Sequence, residues 1–165
     1  MNRPLRLAFF GPPEFALPSL ELLLASRHEV VVAVTRPPKA RGRGQATQAS
    51  PVAARAQAAG IETLAPATPA DDRFQDRFGW LSPDLGLVVA YGRILPANLL
   101  GLAPLGFINA HASLLPLLRG AAPIERAILA GLETTGVTIM RLDEGLDTGD
   151  IMSAGEHHIA AHTDS

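Results

Sequence analysis

The chain contains no cysteine, which removes disulfides, thiolate nucleophiles and cysteine-ligated metals from consideration together. Long apolar runs are lacking too. No stretch approaches the roughly 18 apolar residues of a membrane-spanning helix, and the opening NRPLRLAFFGPPEF is interrupted by Gly11, Pro12 and Pro13 before a signal-peptide core could form. A cytoplasmic protein with no membrane partner is therefore expected. An excess of charge of one sign is lacking: the formal net charge is -2, so no overall field draws the chain to nucleic acid, and an anionic partner must be met by a local patch. What is present is ordinary globular material. With 165 residues, 47% of them apolar and 18% charged, the chain suits one domain with a real core.

Periodicity organises that material. LRLAFF at 5–10 is a short apolar run of the kind buried on both faces of a sheet. PEFALPSLELLLASR follows as a helix, with Pro13 suited to its first turn, and EVVVAVT at 29–35 is β-branched and strand-like. This is a β-α-β unit, which implies a parallel sheet. Further along, 50–60 reads as a helix with Ser50 as N-cap, Pro51 at its first position and Gly60 as a stop. A short strand at 61–64, a helix over PADDRFQDRFGWL, and strands at 84–92 and in GFINAH continue the alternation. APIERAILAG is a helix, TTGVTIMRL a strand, and GDIMSAGEHHIA a strand returning antiparallel to its neighbour. The fold class expected is α/β: a Rossmann-like, doubly wound, mostly parallel sheet with an antiparallel strand near the C-terminal end. The stretch 36–48 is too polar and glycine-rich for a regular element, and AHTDS at the end reads like the cap of a helix that does not follow, as in a truncated chain.

Three stretches could carry chemistry. In GFINAHASLLP, Asn109 and His111 are two apart, so on a strand they share a face, and they sit at the strand end where open parallel sheets bind ligands. An amide donor beside an imidazole suits acyl transfer, the one for a developing oxyanion, the other for proton exchange near neutrality. The pair alone fits equally well two polar residues that satisfy backbone groups. RLDEGLDTGDI gathers Asp143, Glu144, Asp147 and Asp150 on a glycine-punctuated turn, from which a carboxylate could orient His111. Its spacing is not that of a calcium loop and no histidine lies near it, so no metal is expected. RPPKARGRG puts Arg36, Lys39, Arg41 and Arg43 on one loop, either a phosphate-binding patch or a solvated basic loop. Gly42 and Gly44 open no helix, which excludes a nicotinamide site. His28, His157, His158 and His162 read as surface residues.

These stretches, with FFGPPEFALPSL, PDLGLVVAYGRILP and INAHASLLPLLRGAAPIERAILAG, resemble the catalytic domain of the methionyl-tRNA formyltransferase family nearly end to end. The Asn-x-His-x-Ser-Leu-Leu-Pro run and the Leu-Asp-Thr-Gly-Asp turn also mark the wider group that uses 10-formyltetrahydrofolate. The resemblance implies formyl transfer from that co-substrate to the α-amine of initiator methionyl-tRNA, without a metal or an obligate protein partner. It implies a catalytic trio of Asn109, His111 and Asp147, and folate contacts at Ser113, Leu114, Leu115 and Pro116. It implies tRNA contacts from the loop bearing Arg43, with Arg41, Lys39 and Arg36 beside it, and a pterin pocket lined by backbone at 89–92 and 140–146. The alternatives are transfer to a sugar amine, hydrolysis of the formyl folate, and an inactive folate-binding fragment. Departures from the family pattern are Pro12, where a threonine is usual, and Leu117 and Leu118, which stand before Arg119 in place of a basic residue and an aromatic. By the same resemblance, residues 1–165 are a truncated catalytic domain that lacks a C-terminal tRNA-binding domain.

Overall fold

The central strand of the first half is built from LAFF: Leu7, Ala8, Phe9 and Phe10 are all buried, so side chains on both faces of the strand are covered. The computed structural model describes residues 3–38, 40–41 and 46–160, with backbone alone for 40, 41, 46 and 47. The chain forms two units, Met1–Phe107 and Ile108–Ser165.

In the first unit, strands β1 (Arg6–Phe10) and β2 (Glu29–Val34) are joined by a 3-10 turn (Glu14–Ala16) and helix α1 (Leu17–Leu24). Then come β3 (Ala40–Arg41), β4 (Ala46–Thr47), α2 (Pro51–Ala58), β5 (Glu62–Leu64), α3 (Asp72–Trp80), β6 (Leu85–Val89) and α4 (Ala97–Leu100). The main strands are parallel and run in the order β5-β2-β1-β6. Two crossovers step outward from β1 to β5, and the third returns past β1 to β6. With right-handed crossovers, that reversal places α3 on the face opposite α1 and α2, and the sheet is doubly wound. Consistent with this, α1 packs on α2, whereas Phe78 of α3 meets Phe10 at 5.7 Å between ring centroids. The reversal also opens a switch point at the carboxyl ends of β1 and β6, where such sheets bind ligands. Gly11 sits there, and a Cβ on it would overlap the Val89 carbonyl oxygen.

The second unit carries most of β7 (Phe107–His111), then α5 (Pro123–Leu129), β8 (Thr134–Arg141) and β9 (Ile151–His158). β8 is antiparallel to β7 and β9 is antiparallel to β8. The expected parallel sheet with an antiparallel C-terminal strand is the one present, but antiparallel pairing starts one strand earlier than the sequence suggests. The physical reason is that residues 112–122 do not travel back along β7. They stay at its carboxyl end, held by hydrogen bonds from Ser113 and Gly120, and the chain enters β8 from that end.

Local signals explain most boundaries. Ser50 Oγ accepts from the Ala53 N–H at 3.1 Å and Asp71 Oδ1 from the Phe74 N–H at 2.8 Å, so both helices are capped as the residue types demand. Three expectations are corrected. The stretch 36–48 is not without regular structure, because β3 and β4 pair as a two-stranded ribbon. α1 begins at Leu17 rather than near Pro13, since the 3-10 turn precedes it. His28 is not a free surface residue: it is half-buried and its Nδ1 accepts the Leu5 N–H at 3.0 Å. No helix among the described residues is long and apolar enough to cross a membrane.

Candidate active site

The site is assembled within the second unit, around the last residues of β7. In its ladder with β8, Asn109 faces Met140 and His111 faces Thr138. His111 is only 6% exposed. Its Nε2 lies 3.0 Å from the Leu118 carbonyl oxygen, and because a carbonyl can only accept, that nitrogen carries a proton. Its Nδ1 lies 3.5 Å from Asp147 Oδ2. Asn109, half-buried, turns its Nδ2 toward Asp147 Oδ1, also at 3.5 Å. The same carboxylate accepts a shorter bond, 2.7 Å, from the Gly120 N–H. Asp147 is thus the meeting point of an amide, an imidazole and a backbone donor, at 9% exposure. It reaches this position with φ 52, a left-handed conformation that aspartate tolerates better than most residues.

The structure separates the four acidic candidates cleanly. Asp143, Glu144 and Asp150 are exposed, and Asp143 is spent on its own turn, accepting from the Gly145 N–H and the Thr148 hydroxyl. Only Asp147 is buried against His111. Among the described residues no cluster of three or more histidine, aspartate or glutamate side chains could hold a metal.

The 113–116 segment is divided as well. Ser113 is fully buried and its hydroxyl donates to the Leu117 carbonyl at 2.6 Å, so its side chain faces inward. Leu114 and Leu115 are half-buried and Pro116 is exposed. Thr138, which sequence reasoning missed, organises this segment. Its hydroxyl donates to the Ser113 carbonyl at 2.7 Å and accepts the Leu115 N–H at 3.1 Å. The available signal was strand parity, since Gly136, Thr138 and Met140 share the buried face of β8, but a threonine in a β-branched run reads first as strand propensity.

The basic loop is only partly placed. Lys39 and Arg43 lie outside the described residues, and Arg41 is described in its backbone alone, in β3. Arg36 is fully placed: its Nε and Nη2 donate to the Tyr91 carbonyl at 2.9 and 2.7 Å.

A doubly wound α/β chain that brings a carboxamide, an imidazole and a carboxylate together at a strand exit has the make-up of a group-transfer enzyme. The chain belongs to the formyl transferase family, whose pattern matches residues 5–165. It is 50% identical over 148 residues to methionyl-tRNA formyltransferase of Streptomyces griseus, covering 89% of this chain and 48% of that protein. It is 52% identical over 147 residues to the protein of the same name from Thermobifida fusca, covering 89% and 47%. The chain therefore spans about half the length of the curated relatives it matches. Among solved structures, phosphoribosylglycinamide formyltransferase from Bacillus halodurans superposes with a TM-score of 0.79 at 24% identity, over 96% of this chain and 82% of that one. That likeness shows the fold.

Proposed function

We propose that the protein transfers the formyl group of 10-formyltetrahydrofolate to the α-amine of methionine esterified to initiator tRNA, with residues 1–165 as the catalytic domain. The observation that carries this reading is the convergence of Asn109, His111 and Asp147 in a chain half identical to proteins named for that reaction. The amine attacks the formyl carbon, a tetrahedral adduct forms, and the bond to N10 breaks as a proton from the amine is delivered to N10. Negative charge develops on the formyl oxygen. Asn109 has a second amide proton without a protein partner among the described residues, which suits it to stabilise that charge. His111 can carry a second proton on Nδ1, where the Asp147 carboxylate faces it, so the site can hold an imidazolium beside the adduct.

The pterin ring is assigned to the backbone at 89–92, at the switch point, and the tRNA acceptor end to the loop bearing Arg43, Arg41 and Lys39. Support for the loop is its sequence, since a chain of net charge -2 needs a local basic patch to meet tRNA phosphates. The test supplies labelled 10-formyltetrahydrofolate with initiator methionyl-tRNA, an amino-sugar nucleotide, or no acceptor. Label on methionyl-tRNA is expected. Label only on the sugar, or only released as formate, would overturn the assignment.

A further inference from the structure

We infer that Arg36 is a positioning residue for the folate site and not a tRNA contact. Its guanidinium clamps the turn at 90–92 on which, in the proposed function, the pterin rests, and the inference depends on that reading.

β6 ends at Val89, and the chain then passes through two left-handed residues, Ala90 at φ 50 and Gly92 at φ 69, with Tyr91 between them. Glycine adopts this conformation freely and alanine does not, so the turn needs an external hold. Two are present. On one side the Tyr91 ring is 1% exposed and stands edge-on against Phe10, with centroids 5.4 Å apart. On the other, Arg36, two residues beyond the end of β2, sends Nε and Nη2 to the Tyr91 carbonyl. Two donors from a charged, planar fork fix that carbonyl's direction more firmly than a single neutral bond. Fixing the carbonyl fixes the peptide plane, and with it the path of the turn.

The seat for the guanidinium is Gly92, where a Cβ would overlap Arg36 Nη2 and crowd Cζ. Gly92 is required twice, for its positive φ and for the space above it. Among the described residues no carboxylate pairs with Arg36, and the residue is half-buried. To reach a phosphate it would have to abandon both bonds to Tyr91. An arginine that opens a basic loop in the sequence therefore works on the other side of that loop, toward the sheet.

Two variants of the full chain test this, Arg36→Met and Arg36→Lys, read by two measurements. Calorimetry gives the affinity for 5-formyltetrahydrofolate, and binding to initiator methionyl-tRNA across a salt series gives the slope of log affinity against log salt. Arg36→Met is expected to weaken folate binding at least tenfold while leaving the salt slope unchanged. Arg36→Lys keeps the charge but not the fork and is expected to recover only part of the folate affinity. Circular dichroism of both proteins checks the fold, and because lysine preserves charge and stem, it keeps the comparison valid if the methionine variant is unstable. A salt slope reduced by about one with full recovery by lysine would make Arg36 a phosphate contact and overturn the inference. Folate affinity equal to wild type in both variants would also overturn it. A wild-type chain that binds no folate brings down the proposed function and this inference with it, whereas binding by wild type and variants alike brings down the inference alone.

Discussion

In the proposed reaction His111 is the residue on which the chemistry turns, and both its ring nitrogens have a partner waiting. Nε2 donates to the Leu118 carbonyl and Nδ1 faces Asp147. A doubly protonated ring is thus satisfied on both sides. Replacing it with alanine is expected to lower kcat by roughly 10²- to 10⁴-fold, with folate affinity held within a few-fold. Steady-state kinetics beside calorimetry measures the split, and an unaltered kcat would remove His111 from the mechanism. That Asn109 and His111 share a face was legible from strand parity. The choice of Asp147 among four carboxylates came from the family resemblance and not from spacing, which says nothing about which side chain on a turn is buried. The Leu118 contact was not legible, since it depends on φ 56 at a leucine, a conformation that the residue type does not announce.

At the level of elements, Thr138 links β8 to the segment that follows β7. It holds the Ser113 carbonyl and the Leu115 N–H, while Ser113 in turn holds the Leu117 carbonyl, one residue before the carbonyl that meets His111. Thr138→Val keeps the shape and deletes the hydroxyl, leaving a buried donor and acceptor without partners. A loss of about 1–3 kcal/mol in stability is expected from such unpaired groups, together with a fall in kcat of about tenfold as the segment loosens around His111. Urea unfolding and steady-state rates check the two halves separately. A variant that loses stability but keeps kcat would confine Thr138 to a structural role. The strands of the main sheet were readable from β-branched and apolar runs, and α2 from its Ser50 cap. The direction of β8 was not, because a connection long enough to include a helix fits a parallel crossover as well as an antiparallel return.

For the molecule as a whole, stability in acid draws on carboxylates held low by arginines, Glu21 beside Arg55 and Asp84 beside Arg3, and Asp84 has the most donors. Asp84 accepts from Arg3 through both oxygens and from the Arg6 N–H at 2.8 Å. The Arg3 hydrogen bond, then the Arg6 backbone donor, hold its carboxyl below the usual carboxylate range. A group depressed on folding contributes stability that is complete above its unfolded pKa, about 3.9, and is lost as pH falls through its folded value. The wild-type melting temperature is expected to drop as pH falls below about 4, and Asp84→Asn to flatten that limb. A parallel acid limb in the variant would assign the loss to other carboxylates. Because the Arg3 side chain is 64% exposed, added salt is expected to shrink the difference. The sequence displayed the charges but not this pairing, which joins residues 81 positions apart.

The central place of β1 has a consequence in time. In the sheet, Leu7 pairs with Val30 on one side and with Leu85 on the other, separations of 23 and 78 residues. At a synthesis rate of about 5–20 residues per second, β1 leaves the ribosome roughly 4–16 s before its β6 partner. For most of that interval, until α3 emerges just ahead of β6, LAFF lacks the partners that cover its other edge and its other face in the finished sheet. Early collapse of the first β-α-β unit therefore decides whether the nascent chain waits safely or exposes its stickiest segment.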